Sequence, residues 1–467
     1  MTDAAVTMDF HPQPAPGQPK PWAFPVPERG ALGNGLAVLR CHRPGQQVVA
    51  VQIGLDLPLD AEPDRLDGIA AIMMSALSEG TSKHTAEEFA AELERCGATL
   101  DTSADYQGAR VSLEVPVSRL PKALGLLTEA LHTPTFPSSE IERLVRNRLD
   151  EIPLEMANPG RRAARQLAQE LFPASARLSR PRKGTEDTVA RINAAAARAF
   201  YQAHVRPGRA TAVVVGDLTG VDLDAVLAGT LGGWAGDAAE PAPVPPVAAG
   251  DTSRVVIVDR PGAVQTQLLI GRAGPDRHDR VWPALVLGTY CLGGTLTSRL
   301  DRVLREEKGY TYGVRAAPRV LRSPAPPAAG GATGVSVAAI SGSVDTASTG
   351  PALDDVWKVL RTLAAEGLTE TERDTAVQNL VGVAPLRYET AASVAGTLAD
   401  QVEQHLPDNY QAQLYTRLAE TGTAEATAAV IAAFPVDRLL TILVGDTSQI
   451  KAPVKALGIG DVEVVTG

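Results

Sequence analysis

An internal repeat constrains this chain more than any other feature of its sequence. Arg43-Pro44-Gly45 followed by Ile53-Gly54 returns as Arg260-Pro261-Gly262 followed by Ile270-Gly271, each position displaced by 217 residues. In both copies the residues between the Gly and the Ile read as a strand. The copies also close alike, with Thr211-Ala212-Val213-Val214-Val215-Gly216-Asp217 in the first and Thr441-Ile442-Leu443-Val444-Gly445-Asp446 in the second. Between them the Pro/Ala stretch 239–250 cannot pack and suits a linker. A length of 467 with 44% apolar residues is enough for two cores. The expectation is two homologous domains, 28–238 and 251–467, preceded by a polar, Pro-rich arm over 1–27 that is disordered or draped on the surface.

Within each half, strands and helices alternate in mixed order. Val48 to Leu55 and Ala109 to Val115 read as strands, the second alternating through Val111, Leu113 and Val115. Helices are expected near 68–79, 85–96, 119–132, 138–150, 160–171 and 189–203. The second half repeats the plan near 282–291, 296–308, 350–366, 369–380, 390–405 and 423–433. Strands joined by short turns, with helices arriving in pairs, imply α+β: in each half a mostly antiparallel sheet covered by helices on one face. Arg319 to Gly334, rich in Pro and Gly, reads as a mobile loop.

One stretch of the second half brings chemistry together. From Gly293 to Gly313 the sequence reads as a helix followed by a strand. Thr295 or Thr297 can cap the helix, Leu296, Leu300, Val303 and Leu304 form an apolar stripe, and Gly309 supplies a left-handed turn at its end. That turn lets Arg305, late on the helix, and Tyr312, on the strand, point into one space. Tyr310, on the same strand face, is the confounder.

Charge and cysteine usage exclude other classes. A net charge of −10 argues against a general phosphate-backbone binder and against an anionic membrane as partner. The one basic cluster, Arg161, Arg162, Arg165, Arg177, Arg180, Arg182 and Lys183, reads as a solvated helix face plus loop. No run of eighteen apolar residues exists and the N-terminus lacks a signal-peptide pattern, so the expected location is cytoplasmic. Cys41, Cys96 and Cys291 are scattered and read as buried free thiols. No G-x-S-x-G or G-x-x-x-x-G-K-[ST] motif is present.

The segment Gly68-Ile69-Ala70-Ala71-Ile72-Met73-Met74-Ser75-Ala76-Leu77-Ser78-Glu79-Gly80-Thr81 resembles the signature helix of the pitrilysin/insulinase family of zinc peptidases, which includes the mitochondrial processing peptidases. The resemblance extends through Lys183-Gly184-Thr185-Glu186, Phe200-Tyr201-Gln202-Ala203-His204, Pro207-Gly208 and Val215-Gly216-Asp217. In the second half it covers Ser298-Arg299-Leu300, Leu304-Arg305-Glu306 through Tyr312, Gly367-Leu368-Thr369-Glu370 and Val444-Gly445-Asp446. Active members carry an inverted H-x-x-E-H motif, whose histidines bind zinc and whose Glu polarises a water. At the matching positions this chain has Ala71, Met74 and Ser75, and Glu151 falls where the third ligand would stand. A solvated helix residue is the competing reading of Glu151. None of the seven histidines forms a helical pair, and His204 reads as a packing or capping residue.

The resemblance implies one half of a clamshell, and it implies that Arg305 and Tyr312 are the family's Arg/Tyr pair. A guanidinium and a phenol O–H can meet the charge that peptide hydrolysis builds on a carbonyl oxygen. The expected function is therefore a zinc-less subunit of a heterodimeric metallopeptidase, inactive alone. Zinc is expected only in a homologous partner carrying H-x-x-E-H, and no cofactor in this chain. Unfolded peptide is the expected substrate, held as an added strand on a sheet edge; a homodimer is possible without the partner. Two rivals stand beside it: a non-catalytic scaffold or peptide-binding protein of the same fold, and a homodimeric hydrolase using carboxylates.

Overall fold

The computed structural model describes residues 22–236, 244–247, 249–250, 253–324 and 334–466. Residues 1–21 of the expected arm and part of the 239–250 linker lie outside the described residues. Each repeat builds a six-stranded sheet. The first contains β1 (Glu28–Ala31), β2 (Ala37–His42), β3 (Val48–Leu55), β4 (Thr99–Ala104), β5 (Ala109–Pro116) and β6 (Ala210–Gly216), in the order β1-β2-β6-β3-β5-β4. The second contains β7 (Arg254–Asp259), β8 (Gln265–Gly274), β9 (Val314–Arg322), β10 (Val335–Asp345), β11 (Leu440–Gly445) and β12 (Asp461–Val465), in the order β12-β7-β11-β8-β10-β9. Five strands of each sheet correspond one to one. Pairing is mostly antiparallel, and among the described residues the parallel ladders are β2/β6, β7/β11 and β7/β12.

The repeated motifs occupy matching corners. The Gly45 N–H donates to Asp217 Oδ2 at 2.8 Å, and the Gly262 N–H donates to Asp446 Oδ2 at 3.0 Å. Both glycines are left-handed, with φ of 84° and 74°. The aspartate that closes each half thus satisfies the turn that opens it, which explains why Arg-Pro-Gly and Val-Gly-Asp recur together.

Each half covers one face of its sheet with its own helices. In the first, Ile69–Ser75 and Leu120–His132 pack on the face carrying Val49, Val51 and Ile53. In the second, Trp282–Gly293 and Thr349–Glu366 pack on the face carrying Leu268, Ile270 and Ile340. The opposite face is covered by exchange: Ala391–Glu403 of the second half lies on β3 and β6, and Pro159–Leu171 of the first half lies on β8 and β11. Central strands are therefore buried on both sides, and VVAVQIGL, ATAVVVG and LTILVG are nearly continuous apolar runs. The chain before β1 also reaches across, with the Trp22 ring stacked at 5.7 Å on Tyr388 and Phe24 edge-on to it at 4.8 Å. All three cysteines are free and buried.

Some expected boundaries shift. The 138–150 helix runs from Ser138 to Ala157, and the helices Leu223–Gly229, Tyr410–Glu420 and Thr447–Ala456 were not anticipated. The loop expected over 319–334 is strand as far as Arg322, while 325–333 lie outside the described residues. Among the described residues no helix is long and apolar enough to cross a membrane.

Candidate functional site

Two elements hold most of the residues that the sequence singles out. The first is the helix Ile69–Ser75. Gly68 precedes it in a left-handed conformation (φ 99°), and the buried Glu62 Oε1 accepts from the N–H groups of Gly68 (2.9 Å) and Ala70 (3.1 Å). Glu62 Oε2 is gripped by Arg177 through Nε (2.9 Å) and Nη2 (2.7 Å). Burial pushes the Glu62 carboxyl up, and the Arg177 guanidinium opposes that rise. Arg177 therefore departs from the expected solvated face: it is 3% exposed and locks the start of this helix through Glu62.

Close packing fixes that corner further. A Cβ on Gly68 would stand 2.7 Å from the Lys183 carbonyl oxygen, and one on Gly184 (φ 74°) would stand 2.0 Å from that of Asp67. Two stretches that carried the family resemblance thus touch backbone to backbone.

The chemistry at the expected metal positions is absent. Ala71 and Ser75 sit one turn apart and half-buried, and Met74 is fully buried in the first core. A methyl, a hydroxyl and a thioether do not form a zinc site. The helix packs against Ser138–Ala157, which carries Glu151, but that carboxylate pairs with Arg148 at 3.1 Å and Lys183 at 3.8 Å. Among the described residues no group of three His, Cys, Asp or Glu is placed to hold a metal ion. His204 ends the helix Ala194–His204, its ring 4.7 Å from Phe200.

The second element differs from the expected helix and strand. Leu296 is 48% exposed, and the helix begins at Arg299 after Ser298, not at Thr295 or Thr297. Over Arg302–Glu307 it widens to a π-helix, a form common at functional sites. Leu300 and Leu304 keep it on the core, and Gly309 turns the chain with φ 67°. Tyr312 is not on a strand, because β9 starts two residues later at Val314. The intervening loop is pinned: Thr311 Oγ1 donates to the Ser343 carbonyl at 2.6 Å and accepts the Gly313 N–H at 3.0 Å. The buried Asp301, which sequence reasoning passed over, ties the two arms together by accepting the Val314 N–H at 2.8 Å and pairing with Arg315.

This scaffold presents Tyr312 to solvent at 91% exposure, whereas Tyr310 packs against the core. Arg305 is part-exposed and its Nη1 pairs with Glu306 Oε1 at 3.1 Å; no hydrogen bond joins it to Tyr312. The structure therefore places both groups on one helix-turn-loop unit with no hydrogen bond between them.

Fold and site together define a duplicated α+β chain whose helix Ile69–Ser75 carries no zinc-ligating side chains. Residues 38–181 match the family model of insulinase (peptidase family M16), and residues 191–380 match that of the peptidase M16 inactive domain. The chain belongs to the insulinase-like M16 family. It is 27% identical over 295 residues to a protein named an uncharacterized zinc protease in Streptomyces coelicolor, a match covering 61% of this chain and 63% of that protein. It is 24% identical to a protein named non-peptidase homolog YmxG in Helicobacter pylori, over 77% of this chain and 80% of that one. A crystal structure of a peptidase M16 inactive domain from Pseudomonas fluorescens superposes with TM-score 0.79 at 23% identity, covering 90% of this chain and 98% of that one. A protease structure from Helicobacter pylori gives the same TM-score of 0.79 at 18% identity, over 90% of this chain and 100% of that one.

Proposed function

We propose that this chain is the non-zinc subunit of a heterodimeric metallopeptidase, in which Arg305 and Tyr312 donate hydrogen bonds to a peptide carbonyl held at the zinc centre of a homologous H-x-x-E-H partner. The observation that carries this reading is Tyr312, a phenol held 91% exposed on a pinned loop beside a π-turn, and it is supported by Ala71, Met74 and Ser75 standing where the resemblance expects metal ligands. An aromatic displayed so fully suits a surface that another subunit covers. The Arg305–Glu306 pair does not oppose the role. A surface pair of this kind is worth about 0–1 kcal/mol, whereas a donor aimed at a developing oxyanion contributes about 3–4 kcal/mol, so Arg305 can exchange partners.

In this proposal the chain has two homologous domains, 28–238 and 251–467, joined by 239–250, and forms one half of a cytoplasmic clamshell that is inactive by itself. A peptide would be held as an added strand at a sheet edge. The name of the Helicobacter relative, a non-peptidase homolog, fits a subunit without its own metal. The scaffold reading is favoured by one observation, that Arg305 is paired with Glu306 of its own helix. Reconstitution separates the two: the chain is mixed with its H-x-x-E-H homologue, and peptidase activity and zinc content are measured for each protein and for the mixture. Activity and about one zinc per complex in the mixture alone support the subunit. A silent mixture without complex supports the scaffold.

A further inference from the structure

The Arg-rich run of the first half meets the second sheet across a cavity of about 400 Å³. It lies where the exchanged helix Pro159–Leu171, which covers β8 and β11, leaves the outer face of β9 and β10 open. Its apolar walls are Leu167, Leu171, Phe172, Leu178, Leu269 and Leu321. Alternation along β9 turns Arg315, Ala317, Arg319 and Leu321 to the same side, and the small Ala317 and Ala339, paired in register, leave a trough between the arginines.

The charge of this cavity is one-sided. Arg165, Arg180, Arg182, Arg315 and Arg319 line it, and no lining residue is acidic, in a protein of net charge −10. Arg180 and Arg315 are held by Asp67 and Asp301. Arg182 and Arg319 have no carboxylate partner among the described residues. The hydrogen bond of Arg165 goes to the Met156 sulfur at 3.2 Å, and burial pulls its guanidinium below the ordinary value. Arg182 and Arg319 act on a common point: burial pushes the Tyr106 phenol up, and both charges, with that of Arg177, oppose the rise.

Guanidinium groups without a carboxylate partner, set beside an apolar wall, offer an anion charged hydrogen-bond donors next to a surface that takes an aliphatic chain. We propose that this cavity binds a monomeric amphipathic anion, with a carboxylate head held by Arg182 and Arg319 beside Tyr106 and an aliphatic chain along the Leu and Phe wall. The volume suits a small ligand, not a folded partner, and its position between a helix and a sheet suits a free amphiphile, not a bilayer surface. Because the walls come from both halves, the ligand also clamps Pro159–Leu171 onto the second sheet. This is independent of the Arg305/Tyr312 proposal.

The test is isothermal titration of the full chain with dodecanoate and with dodecyltrimethylammonium, both below micelle formation, and with phosphatidylglycerol vesicles in a parallel sedimentation assay. The expected result is saturable binding of one dodecanoate per chain with a rise in Tm, no binding of the cationic amphiphile, and at least tenfold weaker dodecanoate binding in Arg182→Glu and Arg319→Glu. Both arginines are exposed, so these variants should melt like the wild type in the absence of ligand. Equal binding of the two amphiphiles, unchanged affinity in both variants, or binding to vesicles without binding of the monomer would overturn the proposal.

Discussion

Arg110 on β5 of the first half grips Glu403 on the exchanged helix of the second, through Nε to Oε1 at 2.8 Å and Nη2 to Oε2 at 2.6 Å. Asp400 adds a third contact at 2.7 Å. Both partners are largely enclosed, with side chains 18% and 11% exposed. Breaking such a pair from one side leaves an uncompensated buried charge, whereas removing both partners removes the problem. Arg110→Met alone should therefore cost about 3–5 kcal/mol in urea unfolding, Glu403→Leu less because Asp400 still faces the Arg110 guanidinium, and the double variant clearly less than Arg110→Met. Additive losses would show that the two residues do not act as a pair.

The backbone contact at the signature helix makes a prediction in glycine substitutions. Gly68→Ala and Gly184→Ala force a Cβ into the carbonyl oxygens of Lys183 and Asp67 at left-handed positions, and each should cost about 1–3 kcal/mol or more. Gly125, inside the helix Leu120–His132, has nothing within 4 Å of an added Cβ. Gly125→Ala should stabilise by about 0.5–1 kcal/mol in the same thermal or urea melts.

Acid stability should depend on Glu372. Burial alone would raise this carboxyl, but the Arg299 guanidinium, bonded through Nε at 2.6 Å, and the Thr369 amide outweigh burial and hold it at about 2. A depressed carboxyl contributes stability that is fully present above its ordinary value of 4.5 and is lost as pH falls toward about 2. Glu372→Gln should lower stability near neutrality and flatten its fall between those pH values, as read from urea midpoints. A variant whose midpoint falls as steeply as the wild type would contradict this.

Much of the fold was legible because it is written twice. The displaced Arg-Pro-Gly and Val-Gly-Asp motifs mark the same turn-and-strand corner, and each is held by the same hydrogen bond from the Gly N–H to the Asp carboxylate. Periodicity shows that a helix buries one side, but it does not say against which sheet. The exchange of Pro159–Leu171 and Ala391–Glu403 was therefore invisible, although the apolar runs of β3, β6 and β11 already implied cover on both faces.

The site was legible as residue types more than as geometry. That Ala71, Met74 and Ser75 cannot hold zinc is a matter of side-chain chemistry and needs no coordinates. The apolar stripe through Leu300 and Leu304 located the second element, but a period of 3.6 residues cannot reveal a π-turn, so the register of Arg305 and the loop position of Tyr312 were missed. Sequence proximity groups Arg177 with its solvated neighbours, whereas its partner Glu62 lies 115 residues away in sequence.

The measurement that bears most directly on the central claim is turnover of an unstructured fluorogenic peptide by the chain mixed with its H-x-x-E-H homologue, comparing wild type with Arg305→Ala/Tyr312→Phe. Complex formation is monitored by size-exclusion chromatography. Arg305 and Tyr312 are exposed or part-exposed, so both proteins should fold and pair alike. The account predicts activity in the wild-type mixture only, falling by about 10²–10³ or more in the double variant while the complex still forms. Equal turnover by wild type and variant would contradict it.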